Sequence, residues 1–139
     1  MEYYAILKKD KYDTNAYLVS FPDLPNVNTY GDTKEEALRH AAEALNGCIE
    51  CDFERGYSLP KPRKINRKNA YPIPVEPHIQ IAWQLRKLRN GHSQSDIAQK
   101  LGITYQAYQK LENPRKCNPT IKTLEKISRV LGWNVQISK

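Results

Sequence analysis

Aromatic and branched residues crowd into two short runs at the front of the chain, residues 3–9 (YYAILKK) and 16–21 (AYLVSF), with the polar stretch DKYDTN between them. This pattern predicts a β-hairpin, with Asp10 and Asp13 as turn residues. Phe21-Pro22-Asp23-Leu24-Pro25 breaks the second strand, and residues 27–30 form a third short one. Apolar spacing then changes from two to helical. Leu38, Ala41, Ala42, Leu45, Cys48 and Ile49 make one stripe, so a helix is expected to start at Thr33, with Glu36 completing a capping box, and to stop at Gly56. Asp32 competes with Thr33 for the cap, and Gly47 is a weak point inside the helix. One helix over a few antiparallel strands is a small α+β unit.

The second half has helical periodicity only. Residues 78–90 carry Ile81, Leu85 and Leu88 on one side and stop at Asn90-Gly91. In residues 93–131, whose run 94–110 would read DNA, Ile97, Leu101, Tyr108 and Leu111 form an apolar spine. Ala98 is small where two helices would approach, Gly102 allows a sharp turn, and Thr104 caps the next helix. A loop over residues 113–119 leads to Thr120 and a last helix bearing Ile121, Leu124, Ile127 and Leu131. The sequence WNVQISK that follows alternates like a short strand; unstable alone, it would pair with its copy in a second subunit. This half resembles the XRE/Cro-type helix-turn-helix family over roughly residues 78–133. Gln94, Glu112 and Leu131-Gly132 match that family as well. The resemblance implies that Thr104, Tyr105, Gln106, Gln109 and Lys110 lie on a DNA-reading helix. Gln106 and Gln109 suit adenine edges, Lys110 suits guanine or phosphate, and Gln94 and Thr104 suit phosphates. The alternative is a small helical bundle that binds protein rather than DNA.

Charge supports the DNA reading. Residues 1–59 hold 6 Lys/Arg against 11 Asp/Glu, a net of −5, whereas residues 78–139 hold 11 against 3, a net of +8. The basic half fits a phosphate backbone, and the acidic half requires a different, basic or neutral partner. Residues 60–77 have a net of +4 from 5 Lys/Arg and one Glu, interleaved with five prolines. They read as a linker, or else as an arm that contacts DNA; residues 71–76 (YPIPVE) also suit an edge strand. The expected domains are therefore 1–59, a 60–77 linker and 78–139.

The front half resembles the HicB antitoxin family. The matching residues are Tyr17-Leu18-Val19-Ser20-Phe21-Pro22-Asp23-Leu24-Pro25, Thr29-Tyr30-Gly31-Asp32-Thr33, Glu35-Glu36-Ala37-Leu38, Glu43-Ala44-Leu45, and Leu59-Pro60 with Pro62. Asn26-Val27 departs from that family's usual Gly-Cys, which puts the turn there in question. The resemblance implies a partial RNase H-like fold that blocks a HicA-type toxin, a small basic mRNA-cleaving protein with a catalytic histidine. It also implies a C-terminal domain that represses its own operon. Phe21, Asp23 and Tyr30, beside the turns, are the candidate toxin contacts.

Three cysteines, an odd and low count, suit a reducing cytosol. With no basic-then-apolar leader and no membrane-length apolar run, the expectation is a soluble cytoplasmic protein. Cys48-Ile-Glu-Cys51 is a CxxC without a second ligand pair, so no metal site and no cofactor are expected. Catalysis of the RNase H type needs converging carboxylates, but Asp10, Asp13, Asp23 and Asp32 fall in turns and at a cap, and no enzyme is expected. His40, His78 and His92 lack evident partners. The sequence therefore reads as an antitoxin and autorepressor that acts on double-stranded operator DNA as a dimer or higher oligomer through its C-terminal half. The competing readings are a stand-alone repressor with a ligand-sensing front domain, and a nuclease targeted by its helix-turn-helix.

Overall fold

The computed structural model describes residues 1–12, 15–89 and 91–132. Asp13, Asn90 and the expected strand at 133–139 lie outside the described residues. The chain forms two compact units, Met1–Val75 and one beginning at Glu76.

The first unit is a four-stranded antiparallel sheet in the order β3-β2-β1-β4, with one helix. Its strands are β1 (Glu2–Lys9), β2 (Tyr17–Ser20), β3 (Asn28–Gly31) and β4 (Ala70–Pro74), and the helix α1 is Lys34–Glu54. The hairpin pairs Leu7 with Val19, and β3 places Thr29 opposite Val19. Strand alternation puts Tyr3, Ala5, Leu7, Val19, Gly31 and Ile73 on one face, which α1 covers. Its buried stripe runs Ala37, Ala41, Leu45, Ile49 and Phe53. Ala41, Leu45 and Ile49 of the stripe expected from sequence lie in it, and Leu38, Ala42 and Cys48 form its half-buried border. Full burial of Leu45, Ile49 or Phe53 contributes about 1.5–3 kcal/mol each.

The ends of α1 follow local chemistry. Thr33 Oγ1 accepts the Glu36 amide at 3.1 Å, taking the cap that Asp32 contested. At the far end Gly56, with φ +79°, reverses the chain. Its amide donates to Phe53 and that of Tyr57 to Asp52, the six-to-one pair that closes a helix before a left-handed residue. Gly47 lies within the unbroken helix, its poor propensity outweighed by the packing on the opposite side.

Residues 21–27 make two tight turns in succession, with Leu24 donating to Phe21 and Val27 to Leu24. Phe21, Leu24 and Val27 therefore point inward at a spacing of three, and all are buried. Val27 fills the place where the family pattern carries cysteine, so the departure at Asn26-Val27 leaves the turn closed. After α1 the proline-rich stretch returns along the unit. Tyr3 donates its hydroxyl to Pro60 O, Arg63 binds Asp23 through its amide (2.9 Å) and Nε (2.6 Å), and Leu7 donates to Asn69. It ends in β4, the edge strand that the sequence allowed for 71–76. Val75 donates to Met1 O, so odd positions face β1 and Pro72 and Pro74 fall on the outward positions, where a missing N–H leaves no ladder bond unmade. Buried Asn46 joins α1 to this strand, donating to Ala42 O and Pro74 O.

The second unit contains α2 (Pro77–Arg89), α3 (Gln94–Leu101), α4 (Tyr105–Leu111) and α5 (Ile121–Leu131). Ile79, Ile81, Ala82, Leu85, Ile97, Ala98, Leu101, Tyr108, Leu111 and Ile127 form its core. Of the stripe expected on α5 only Ile127 is buried; Leu124 and Leu131 are half-buried and Ile121 is exposed.

Two outcomes follow. A Cβ on Gly31 would collide with the Ala37 nitrogen and α-carbon, so α1 sits on the sheet only because residue 31 has no side chain. Gly31→Ala should cost about 1–3 kcal/mol by overpacking, read as a lower midpoint in thermal unfolding; an unchanged midpoint would refute the contact. Burial, and then the negative charge of Asp23, push the Tyr3 phenol up to about 12 from 10. The raised value means that its stabilising effect is complete below pH 10 and is lost between pH 10 and 12. Tyr3→Phe should lower stability by about 1 kcal/mol at pH 8 and by less at pH 11, measured by urea denaturation; an equal loss at both would contradict this.

Candidate nucleic-acid interface and partner-binding face

Helices α3 and α4 meet through a turn of three residues. Gly102 adopts φ +69°, its amide donates to Gln99 and that of Ile103 to Ala98, so α3 closes in the same way as α1. Thr104 Oγ1 then accepts the Ala107 amide at 3.1 Å and starts α4, as Ser93 starts α3 and Thr120 starts α5. Ala98 is buried where the two helices approach. Core packing uses Tyr108 and Leu111, which turns Tyr105, Gln106, Gln109 and Lys110 to solvent on α4.

Gln94, Gln106, Gln109 and Lys110 line one open polar depression together with Asn113 and Lys116. Four of the six residues expected to read DNA are thus gathered there, while Thr104 acts as a helix cap and Tyr105 stands beside it. Asn113 and Lys116 were missed in the sequence. The basic pair Arg115-Lys116 was visible, but its direction depends on the loop, where Asn113 Oδ1 accepts the Arg115 amide and Asn113 O accepts those of Lys116 and Cys117.

Behind the depression lies an ion pair. Arg89 Nε donates to Glu112 Oε2 at 2.7 Å, and its second terminal nitrogen donates to Oε1 at 3.0 Å. The Glu112 side chain is almost fully buried, and Arg89 is 24% exposed. Gln94 Nε2 also donates to Glu112 Oε1 (3.3 Å), Tyr105 OH to Gln94 Oε1 (3.4 Å), and Gln109 Nε2 to Tyr105 OH (2.9 Å). The Tyr108 phenol lies in the same place, its pKa raised by burial first and then by Glu112.

In the first unit the three candidate toxin contacts occupy different settings. Phe21 is 1% exposed and belongs to the core. The Asp23 side chain is 6% exposed and held by Arg63. Tyr30, on β3, is 60% exposed and lies directly opposite Leu18, itself exposed, on the sheet face that α1 does not cover. His40 Nδ1 donates to the Tyr30 carbonyl at 2.6 Å, fixing the residue at the sheet edge from α1.

The remaining candidate chemistry is dispersed. Among the described residues no three His, Cys, Asp or Glu side chains are grouped to hold a metal. Asp10 accepts the Tyr12 amide in its turn, and Asp23 is engaged by Arg63. Burial raises the thiol pKa of Cys48 and that of Cys117, the latter to about 11, which keeps both protonated and unreactive. His78 approaches Glu76 at 3.3 Å, and the His92 carbonyl accepts from Arg89. No helix among the described residues is long and apolar enough to cross a membrane.

A sheet-and-helix unit followed by a capped helix-turn-helix with an exposed polar face defines a DNA-binding protein with a separate front domain. Known sequences agree on both halves. The profile of a family described as a HicB-like antitoxin of bacterial toxin–antitoxin systems matches residues 2–78, and a helix-turn-helix profile matches residues 84–135. Antitoxin HicB 1 of Photorhabdus laumondii is 28% identical over 91% of this chain and 80% of its own length; Antitoxin HicB 2 of the same organism is 30% identical over 93% and 91%. A crystal structure of Burkholderia pseudomallei antitoxin HicB aligns with a TM-score of 0.48 at 19% identity, over 78% of this chain and 90% of that one. The chain belongs to the HicB-like antitoxin family, in a form that carries a C-terminal helix-turn-helix DNA-binding domain.

Removing Arg89 leaves the Glu112 carboxylate buried and unpaired. Arg89→Met should therefore destabilise the second unit at the lower end of about 3–5 kcal/mol, since Arg89 keeps some water, and Arg89→Met with Glu112→Leu should recover part of the loss. Both tryptophans, Trp83 and Trp133, follow Glu76 in sequence, so denaturation monitored by tryptophan fluorescence reports the change. A double variant less stable than Arg89→Met alone would contradict the pair's role.

Proposed function

We propose that this protein neutralises a HicA-type mRNA-cleaving toxin through its first unit and represses its own operon through its second. The observation that carries the reading is the union of two features in one chain. A HicB-like sheet-and-helix unit, whose residues 1–59 are net acidic, precedes a net basic helix-turn-helix with an exposed polar helix. The acidic side chains of residues 1–59 offer charge complementary to a basic RNA-cleaving partner, while the five Lys/Arg of residues 60–75 bring the whole unit to neutrality. Tyr30 is the proposed direct toxin contact, with Phe21 and Asp23 holding the adjoining loop in shape. Gln106 and Gln109 read base edges, Lys110 meets guanine or phosphate, Gln94 and Thr104 orient the motif on phosphates, and Tyr105 completes the surface. The protein works in the cytoplasm as a homodimer or higher oligomer joined through the second unit, without membrane or cofactor. A dimer then reads half-sites about 34 Å apart.

The test is to express the neighbouring reading frame with and without this one, and to footprint the purified protein on the DNA upstream of the pair. The expected result is growth arrest that this chain relieves, together with a protected palindrome. Gln106→Ala should relieve arrest as well as the wild type while losing about 1–3 kcal/mol of operator affinity. Arrest that this chain fails to relieve, or relief lost with Gln106→Ala, would overturn the division of labour.

A further inference from the structure

A buried carboxylate can only accept hydrogen bonds, and Glu112 therefore sets the direction of every bond joined to it. It faces Arg89 on one side and the Gln94 amide on the other, so Gln94 must turn Nε2 inward and Oε1 outward. Gln94 Oε1 then takes the proton of the Tyr105 hydroxyl, and the phenolic oxygen is left as an acceptor. Gln109 Nε2 fills that acceptor. Each bond donates towards Glu112, and the Gln109 carbonyl oxygen, with the second N–H of its amide, is what remains for a ligand.

Tyr105 gains a different role from this arrangement. Its hydroxyl gives to Gln94 and receives from Gln109, so it is occupied on both sides, while the residue is still 42% exposed. What it offers outward is ring, not hydrogen-bonding capacity. Gln106, one position along, has no part in this chain of bonds and lines the same depression.

We propose that Glu112 and Tyr105 are positioning residues that fix the Gln109 amide with its carbonyl towards the major groove, so that Gln109 selects a base bearing an exocyclic amine there, adenine before cytosine. This rests on the reading of α4 as the DNA-contacting helix. In the major groove only adenine and cytosine present an amine donor, whereas guanine presents two acceptors and thymine one. An amide held carbonyl-outward is matched to the first pair, whereas the second leaves that carbonyl without a donor. Adenine gains further because Gln109 keeps one N–H to donate to N7 beside the amine.

The test selects duplexes from a randomised library with the full-length protein, then measures affinities for single-base variants of the selected site with wild type, Gln109→Ala, Tyr105→Phe and the double variant. The wild type should prefer adenine at one position by about 5- to 100-fold, and Gln109→Ala should abolish that preference. Tyr105→Phe, which keeps the ring, should weaken the preference at the same position only, and should add nothing to Gln109→Ala. Glu112→Gln, checked for folding by circular dichroism, should relax the same position because its amide no longer imposes a direction. Guanine or thymine at the Gln109 position, full preference retained by Tyr105→Phe, or a uniform loss at all positions would overturn the proposal. A wild type that selects no sequence would overturn the DNA reading along with it.

Discussion

Taking the carboxylate of Glu112 out of water is the most expensive single step in the second unit, and much of that unit is arranged to offset it. A buried ion is tolerable only when its lone pairs are satisfied with good geometry. Arg89, from the end of α2, supplies a two-pronged contact, and Gln94, from the first turn of α3, supplies a third donor. One side chain at the C-cap of α4 thereby ties three helices together. Alternative packings of such small helices would leave a charge unpaired, so the pair selects one arrangement rather than adding much net stability. The polar face on α4 inherits its order from that constraint.

The front unit relies on close approach instead. Among the described residues α1 is the layer over the buried face of its sheet. The helix reaches the sheet because Gly31 lets the backbone of Ala37 come down on it. The polar partners of this unit then close its margins: Tyr3 and Asp23 bind the returning proline-rich segment, and Asn46 binds the edge strand. The unit thus adds specific hydrogen bonds at its periphery to the packing of its core.

Local chemistry made most of this visible in the sequence. Thr33, Thr104 and Thr120 announced helix starts, Gly56 and Gly102 announced ends, and the apolar spacing of Ile97, Leu101, Tyr108 and Leu111 gave the helix-turn-helix core. Each signal depends on residues within one turn of each other. Contacts distant in sequence were not visible. Arg63 binds Asp23 forty residues away and Arg89 binds Glu112 twenty-three away, and neither pairing has a spacing rule. Prolines and lysines between residues 60 and 69 read as solvated chain because composition reports solubility, not whether a carbonyl such as that of Pro60 meets a buried phenol. At the candidate site, the residue types on α4 could be read from helical phase, but the bonds ordering Gln109 required knowing which carboxylate lay behind it. Phe21 was chosen for its place beside a turn, and the turn itself folds its ring inward.

The two prolines of β4 carry a consequence for assembly. Their nitrogens occupy the outward positions of that strand, so a neighbouring strand finds no proline donors there, and among the described residues the opposite edge of the sheet is β3. A union of two copies that extends this sheet would run through β3 in both. The joined sheet would then end in prolines at each margin. Growth by this route stops at two.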